Sequence, residues 1–90
     1  MLIQYFADIR LLANCSEQQL STARPTLHSL LTELAGQHGA AFQKRVFDEG
    51  KLSKTVVIMV NGQNVRHLAG LETALKPDDA VLIFPMVAGG

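Results

Sequence analysis

Apolar positions along the chain recur with two different periods, and the changes between them mark the elements. Leu2 to Phe6 alternates, with Ile3 and Tyr5 on one side and Leu2, Gln4 and Phe6 on the other, which predicts a first strand apolar on both faces. Ala7 to Leu12 suits a short helical turn, and Ala13-Asn14-Cys15-Ser16 a loop in which Asn14 has turn chemistry. Glu17 to Ser21 is polar, as befits a second strand at a sheet edge, where charge discourages pairing with another sheet.

The period then changes. Leu27, Leu30, Leu31, Leu34 and Ala35 recur at i, i+3, i+4, i+7 and i+8, so an amphipathic helix with a leucine face is expected. Thr26 is placed to cap it, and Gly36 or Gly39 to end it. Ala40 to Phe47 predicts a shorter helix, with Phe42 and Val46 inward and Lys44 and Arg45 in solvent. Thr55 to Val60 is β-branched and apolar, and Asn61-Gly62 after it is a hairpin signal, so a short strand around Asn64 to Arg66 should return beside it. Leu68 to Leu75 reads as a loop or 3₁₀ turn, and Lys76-Pro77-Asp78-Asp79 as a turn. The continuous apolar run Ala80 to Phe84 predicts a last strand covered on both faces. Pro85, with no N–H to donate, is expected to stop its ladder.

Two strands, one main helix and three more strands make an α+β fold. One such helix covers one face of the sheet. Leu2, Phe6, Leu82 and Phe84 are therefore candidates for an uncovered apolar patch of the kind that marks a partner site.

Ninety residues at 48% hydrophobic content form one small domain, expected over 1–85 with a flexible tail over 86–90. Eight basic and eight acidic residues cancel, which recommends neither nucleic acid nor an anionic membrane as partner. A single cysteine, Cys15, is expected to act as a small, half-buried hydrophobe. The N-terminal apolar run is broken by Asp8 and Arg10 before a signal segment or membrane span forms, so a cytoplasmic protein is expected. His28, His38 and His67 lack metal-ligand spacing, and no metal site is expected.

The chemistry lies at the end of the chain. Met86 to Gly90 reach about 17 Å at roughly 3.3–3.6 Å per residue. Gly89 and Gly90 have no Cβ and can enter a channel too narrow for side chains, the arrangement an enzyme acting on a C-terminus needs. The Gly90 carboxylate, with an ordinary pKa of about 3.3–3.7, is ionised and must be activated before a nucleophile can attack it. Esterification to AMP would do this. No glycine loop in the chain is suited to cradle phosphate, so no cofactor is expected to be bound here, and ATP would belong to a partner enzyme.

Over nearly its whole length the chain resembles the MoaD/ThiS family of ubiquitin-like sulfur carriers. Tyr5-Phe6-Ala7-Asp8-Ile9-Arg10 looks like the family's opening strand and turn, Thr26 to Leu34 like its helix, and Phe84-Pro85-Met86-Val87-Ala88-Gly89-Gly90 like its terminal signature. Val60-Asn61-Gly62 with Leu68 to Leu75, and the extra segment Ala40 to Lys54, are most similar to the branch of the molybdopterin synthase small subunit (MoaD). Asp78 stands where the family often has glycine, and Met86 where a second proline is frequent.

The resemblance implies a β-grasp fold, a mixed five-stranded sheet on one main helix with the first and last strands parallel at its centre. It implies a carrier and co-substrate rather than an enzyme. Gly90 would be adenylated by an E1-like enzyme and converted to a thiocarboxylate, with Gly89, Ala88 and Val87 forming the tail. Its sulfur would pass to a pterin precursor held by a large, MoaE-like molybdopterin synthase subunit, with a carrier for cysteine, thiamine or another thiolated metabolite, or a protein modifier, as alternatives. Phe6, Val65, Leu82, Phe84 and Met86 are the residues expected to face the partner.

Overall fold

The computed structural model describes residues 1–20 and 26–86. In chain order, β1 (Leu2–Tyr5) leads into α1 (Ala7–Ala13) and β2 (Glu17–Gln19), followed by α2 (Leu27–His38) and α3 (Ala40–Val46). A hairpin of β3 (Phe47–Asp48) and β4 (Lys51–Leu52) precedes β5 (Val56–Val60) and β6 (Gln63–Asn64). Two 3₁₀ turns, Val65–His67 and Gly70–Glu72, connect to β7 (Ala80–Pro85).

The main sheet has five strands in the order β2-β1-β7-β5-β6, and β3 and β4 pair separately. β1 and β7 run parallel at its centre, with Ile3 opposite Val81 and Tyr5 opposite Ile83. The other pairings are antiparallel. This mixed α+β sheet is the expected β-grasp arrangement.

Strand alternation decides which face α2 covers. Ile3, Tyr5, Val56, Ile58, Val60, Val81 and Ile83 point one way and are buried, as are Leu27, Leu30, Leu31 and Leu34 on α2. Phe42 and Val46 of α3 close the same core. Thr26 caps α2 by accepting the Ser29 N–H at 3.1 Å. Gly36 stays inside the helix, and Gly39 ends it at φ 101° and is at once the cap of α3. A side chain there would be strained, which is why glycine occupies the corner.

Both hairpin turns use left-handed pairs, Asn61-Gly62 at φ 51° and 83° and Glu49-Gly50 at φ 51° and 78°. Positive φ at both central residues matches the twist of the flanking strands. Asn61 does more than turn. Its amide N–H₂ donates to Asp79 Oδ1 at 2.8 Å and its side-chain oxygen accepts the Ala80 N–H at 2.9 Å. Asp79 Oδ2 also accepts the Lys76 N–H, so the last turn is held by a buried carboxylate. Asp78 is not among the positive-φ residues, so the turn does not require a left-handed conformation at that position.

Pro85 does not stop the ladder. It lies opposite Val56, and the Met86 N–H still donates to the Thr55 carbonyl at 2.9 Å. Antiparallel pairs alternate between bonded and non-bonded, so with Met86 bonded to Thr55 the Pro85 nitrogen faces away from β5. On that side β1 has already ended, and the Phe6 N–H takes the Ile83 carbonyl at 3.1 Å. Proline there forfeits no bond.

Candidate docking face and tail root

The face of the sheet away from α2 carries Leu2 and Gln4 of β1, Leu82 and Phe84 of β7, and Val57 and Met59 of β5, all half-exposed. Phe6 continues the line of β1 and is 40% exposed, and Met86 follows β7 and is 52% exposed. Phe6, Leu82, Phe84 and Pro85 line a shallow hollow of about 400 Å³. Four of the expected partner-facing residues thus gather at one place, Phe6, Leu82 and Phe84 around the hollow and Met86 next in the chain to Pro85 on its rim.

Val65 does not belong to this face. The return strand ends at Asn64, and the Asn64 side chain caps a 3₁₀ turn by accepting the Arg66 N–H at 2.9 Å. That turn buries Val65 completely in the core, out of reach of any partner. Met59 and half-exposed Leu68 extend the apolar surface instead, lining a second hollow beside β6. The signal for Val57 and Met59 was their alternation with Val56, Ile58 and Val60.

The tail begins beside the hollow. Met86, assigned to the tail by sequence, keeps its backbone N–H in the ladder with Thr55. Val87, Ala88, Gly89 and Gly90 lie outside the described residues. Around Thr55 is a polar cluster that local pattern did not reveal. Arg45, expected in solvent, donates from Nε to Asp8 Oδ2 at 2.7 Å and from Nη1 to Thr55 Oγ1 at 2.7 Å. Its Nη1 also approaches the Thr55 carbonyl at 3.4 Å. The hydrogen bond from Arg45 holds the Asp8 carboxyl below the usual carboxylate range.

The other polar groups have structural settings. The buried Tyr5 hydroxyl donates to Gln18 Oε1 at 2.8 Å and lies 3.2 Å from His38 Nε2, and burial raises the phenol pKa and lowers that of the imidazole. His28 meets the Phe47 ring edge-on, and Cys15 lies half-buried against the core. Among the described residues no group of three His, Cys, Asp or Glu side chains is placed to hold a metal ion. No helix among them is long and apolar enough to cross a membrane.

The sheet thus has one apolar face that α2 leaves uncovered, and its central strand β7 leads directly to Met86. A model described as the ThiS family matches residues 3–90. The chain belongs to the ThiS family. Its ThiS-family character extends to named relatives. It is 35% identical over 77 residues to the sulfur carrier protein CysO of Mycobacterium bovis, covering 82% of each chain. The solution structure of small archaeal modifier protein 1 from Methanosarcina acetivorans superposes with a TM-score of 0.84 at 33% identity, over 99% of this chain and 94% of that one. The crystal structure of an Amycolatopsis orientalis BexX/CysO complex gives 0.83 at 26% identity, over 99% and 98%. The ubiquitin-like β-grasp fold and the sulfur-carrier family are established by these matches; they do not single out the MoaD branch.

Proposed function

We propose that this ThiS-family chain carries sulfur on its own C-terminus. The observation that carries the reading is the family match running to Gly90, on a chain whose uncovered apolar face borders the root of the tail. An E1-like enzyme uses ATP to convert the Gly90 carboxylate to an acyl adenylate, with release of pyrophosphate. Hydrosulfide then attacks the acyl carbon, the bond to the AMP oxygen breaks, and a thiocarboxylate, AMP and a proton result. Transfer of the sulfur to an acceptor and hydrolysis return the carboxylate. Phe6, Leu82, Phe84 and Met86 dock the activating enzyme, and Val87 to Gly90 thread into it. The BexX/CysO complex, whose matched chain has this fold, supports docking of this fold on a partner protein.

The test is an intact-mass measurement after incubation with a cognate activating enzyme, ATP and sulfide. One terminal oxygen replaced by sulfur is expected. An unchanged mass, with an enzyme shown active on another carrier, rejects the reading.

For the acceptor, the central pattern Val60-Asn61-Gly62 with Leu68 to Leu75 supports a pterin precursor held by a large molybdopterin synthase subunit. Similarity to CysO equally supports another thiolated metabolite, and similarity to an archaeal modifier supports attachment of Gly90 to a lysine of a target protein. Co-purification with a large synthase subunit decides for the first, sulfur transfer without that subunit for the second, and isopeptide-linked adducts for the third.

A further inference from the structure

We infer that Asp8, Arg45 and Thr55 form a bracket that sets the position of Met86, the root of the tail, making Arg45 and Thr55 positioning residues for C-terminal activation. The inference rests on the proposed carrier reading. Two groups distant in sequence, the Met86 N–H and Arg45 Nη1, converge on one carbonyl, that of Thr55. The Thr55 C=O accepts the Met86 N–H at 2.9 Å, the last backbone hydrogen bond of the chain among the described residues. Thr55 precedes β5 and would by itself be a fraying strand end. It is fixed from two sides.

Its Oγ1 accepts from Arg45 Nη1 at 2.7 Å and shares a hydrogen bond with Ser53 Oγ at 2.9 Å, while its N–H donates to the same Ser53 oxygen at 3.2 Å. Arg45 is oriented in turn by Asp8 on α1, at 2.7 Å from Nε. The planar guanidinium projects these donors in fixed directions, so holding Nε on Asp8 aims Nη1 at Thr55. α1 begins directly after Phe6, and Phe6 lines the docking hollow. The bracket therefore ties the position of the tail root to the position of the docking face. An enzyme that grips the face receives the tail root, Met86, at a set offset. Loss of the bracket leaves the face intact and lets the root shift, and misplacement by about 1 Å at a reacting centre costs up to about 100-fold in rate.

The experiment uses the full chain as wild type, Arg45→Met, Thr55→Val and Thr55→Ser. Two quantities are measured: amide exchange at Met86 by NMR, and kcat and KM for thiocarboxylate formation by the activating enzyme. Thermal melts and amide spectra confirm folding. For Arg45→Met and Thr55→Val, Met86 exchange is expected to quicken and kcat to fall about tenfold, with KM within about twofold. Thr55→Ser, which keeps the hydroxyl, is expected to behave as wild type. Unchanged Met86 exchange overturns the bracket. Faster exchange with unchanged kcat, or a rise in KM alone, overturns its positioning role. A wild-type chain that takes no sulfur from an active enzyme overturns the carrier reading, and the role of the bracket with it, whatever Met86 does.

Discussion

Phe6 and Phe84 meet edge to face, ring centroids 6.1 Å apart and planes at 90°, across the junction where β1 gives way to α1. Each ring is thereby held upright on a face that α2 does not cover, although neither belongs to the core. Two aromatic rings already ordered in the free protein lose little freedom on binding, which favours them as anchors.

Phe84→Ala is expected to weaken binding to the activating enzyme by about 1–3 kcal/mol, and Phe6→Ala similarly. Because the rings touch, the double variant should lose less than the sum, with a coupling of about 0.5–1.5 kcal/mol. Titration calorimetry on the single and double variants reads both. Full additivity would show that the rings act independently.

Val65→Ala is expected to behave in the opposite way. Burial of the whole side chain puts its cost on folding, about 1–3 kcal/mol in urea denaturation, with affinity unchanged in the folded protein. A selective loss of affinity would return Val65 to the partner surface.

Asp79→Ala removes the acceptor for both Asn61 and the Lys76 N–H. Partners left with an unmade bond at a buried site cost about 1–3 kcal/mol each way, so a fall in unfolding free energy of that order is expected. Asp78→Ala, next to it but exposed, should change stability by less than about 0.5 kcal/mol.

His38 makes stability depend on pH. Burial against Tyr5 and Phe42 lowers its pKa below the ordinary 6.5, so the folded chain binds this proton more weakly than the unfolded chain. The stabilising contribution is then fully present above about 6.5 and is lost as pH falls through the folded-state value. NMR titration of the imidazole should give a midpoint below 6.5, and His38→Gln should flatten the melting temperature over that acidic range. A midpoint at or above 6.5 would contradict it.

What sequence made legible was what local pattern specifies. The leucine face and Thr26 cap of α2 follow from the spacing of Leu27, Leu30, Leu31 and Leu34, and the open face from the alternation in β1 and β7. The placement of Phe6, Leu82 and Phe84 on that face follows from the alternation. Arg45 shows what local pattern omits, since its partners Asp8 and Thr55 lie 37 and 10 residues away. Val65, expected at the partner surface from the family resemblance alone, is buried because the backbone turns into 3₁₀ conformation directly after Asn64. The β3–β4 hairpin does carry a local signal, Glu49-Gly50 between Phe47 and Leu52. The missing donor of Pro85 would end the ladder only if it faced β5, and here it faces away.

The C-terminal segment follows β7, which is bonded to β1 on one flank and β5 on the other. A pull on that end would have to shear two ladders at once before the body gave way. On the proposed carrier reading, an activating enzyme could then clamp and release the terminus repeatedly while the body stayed folded.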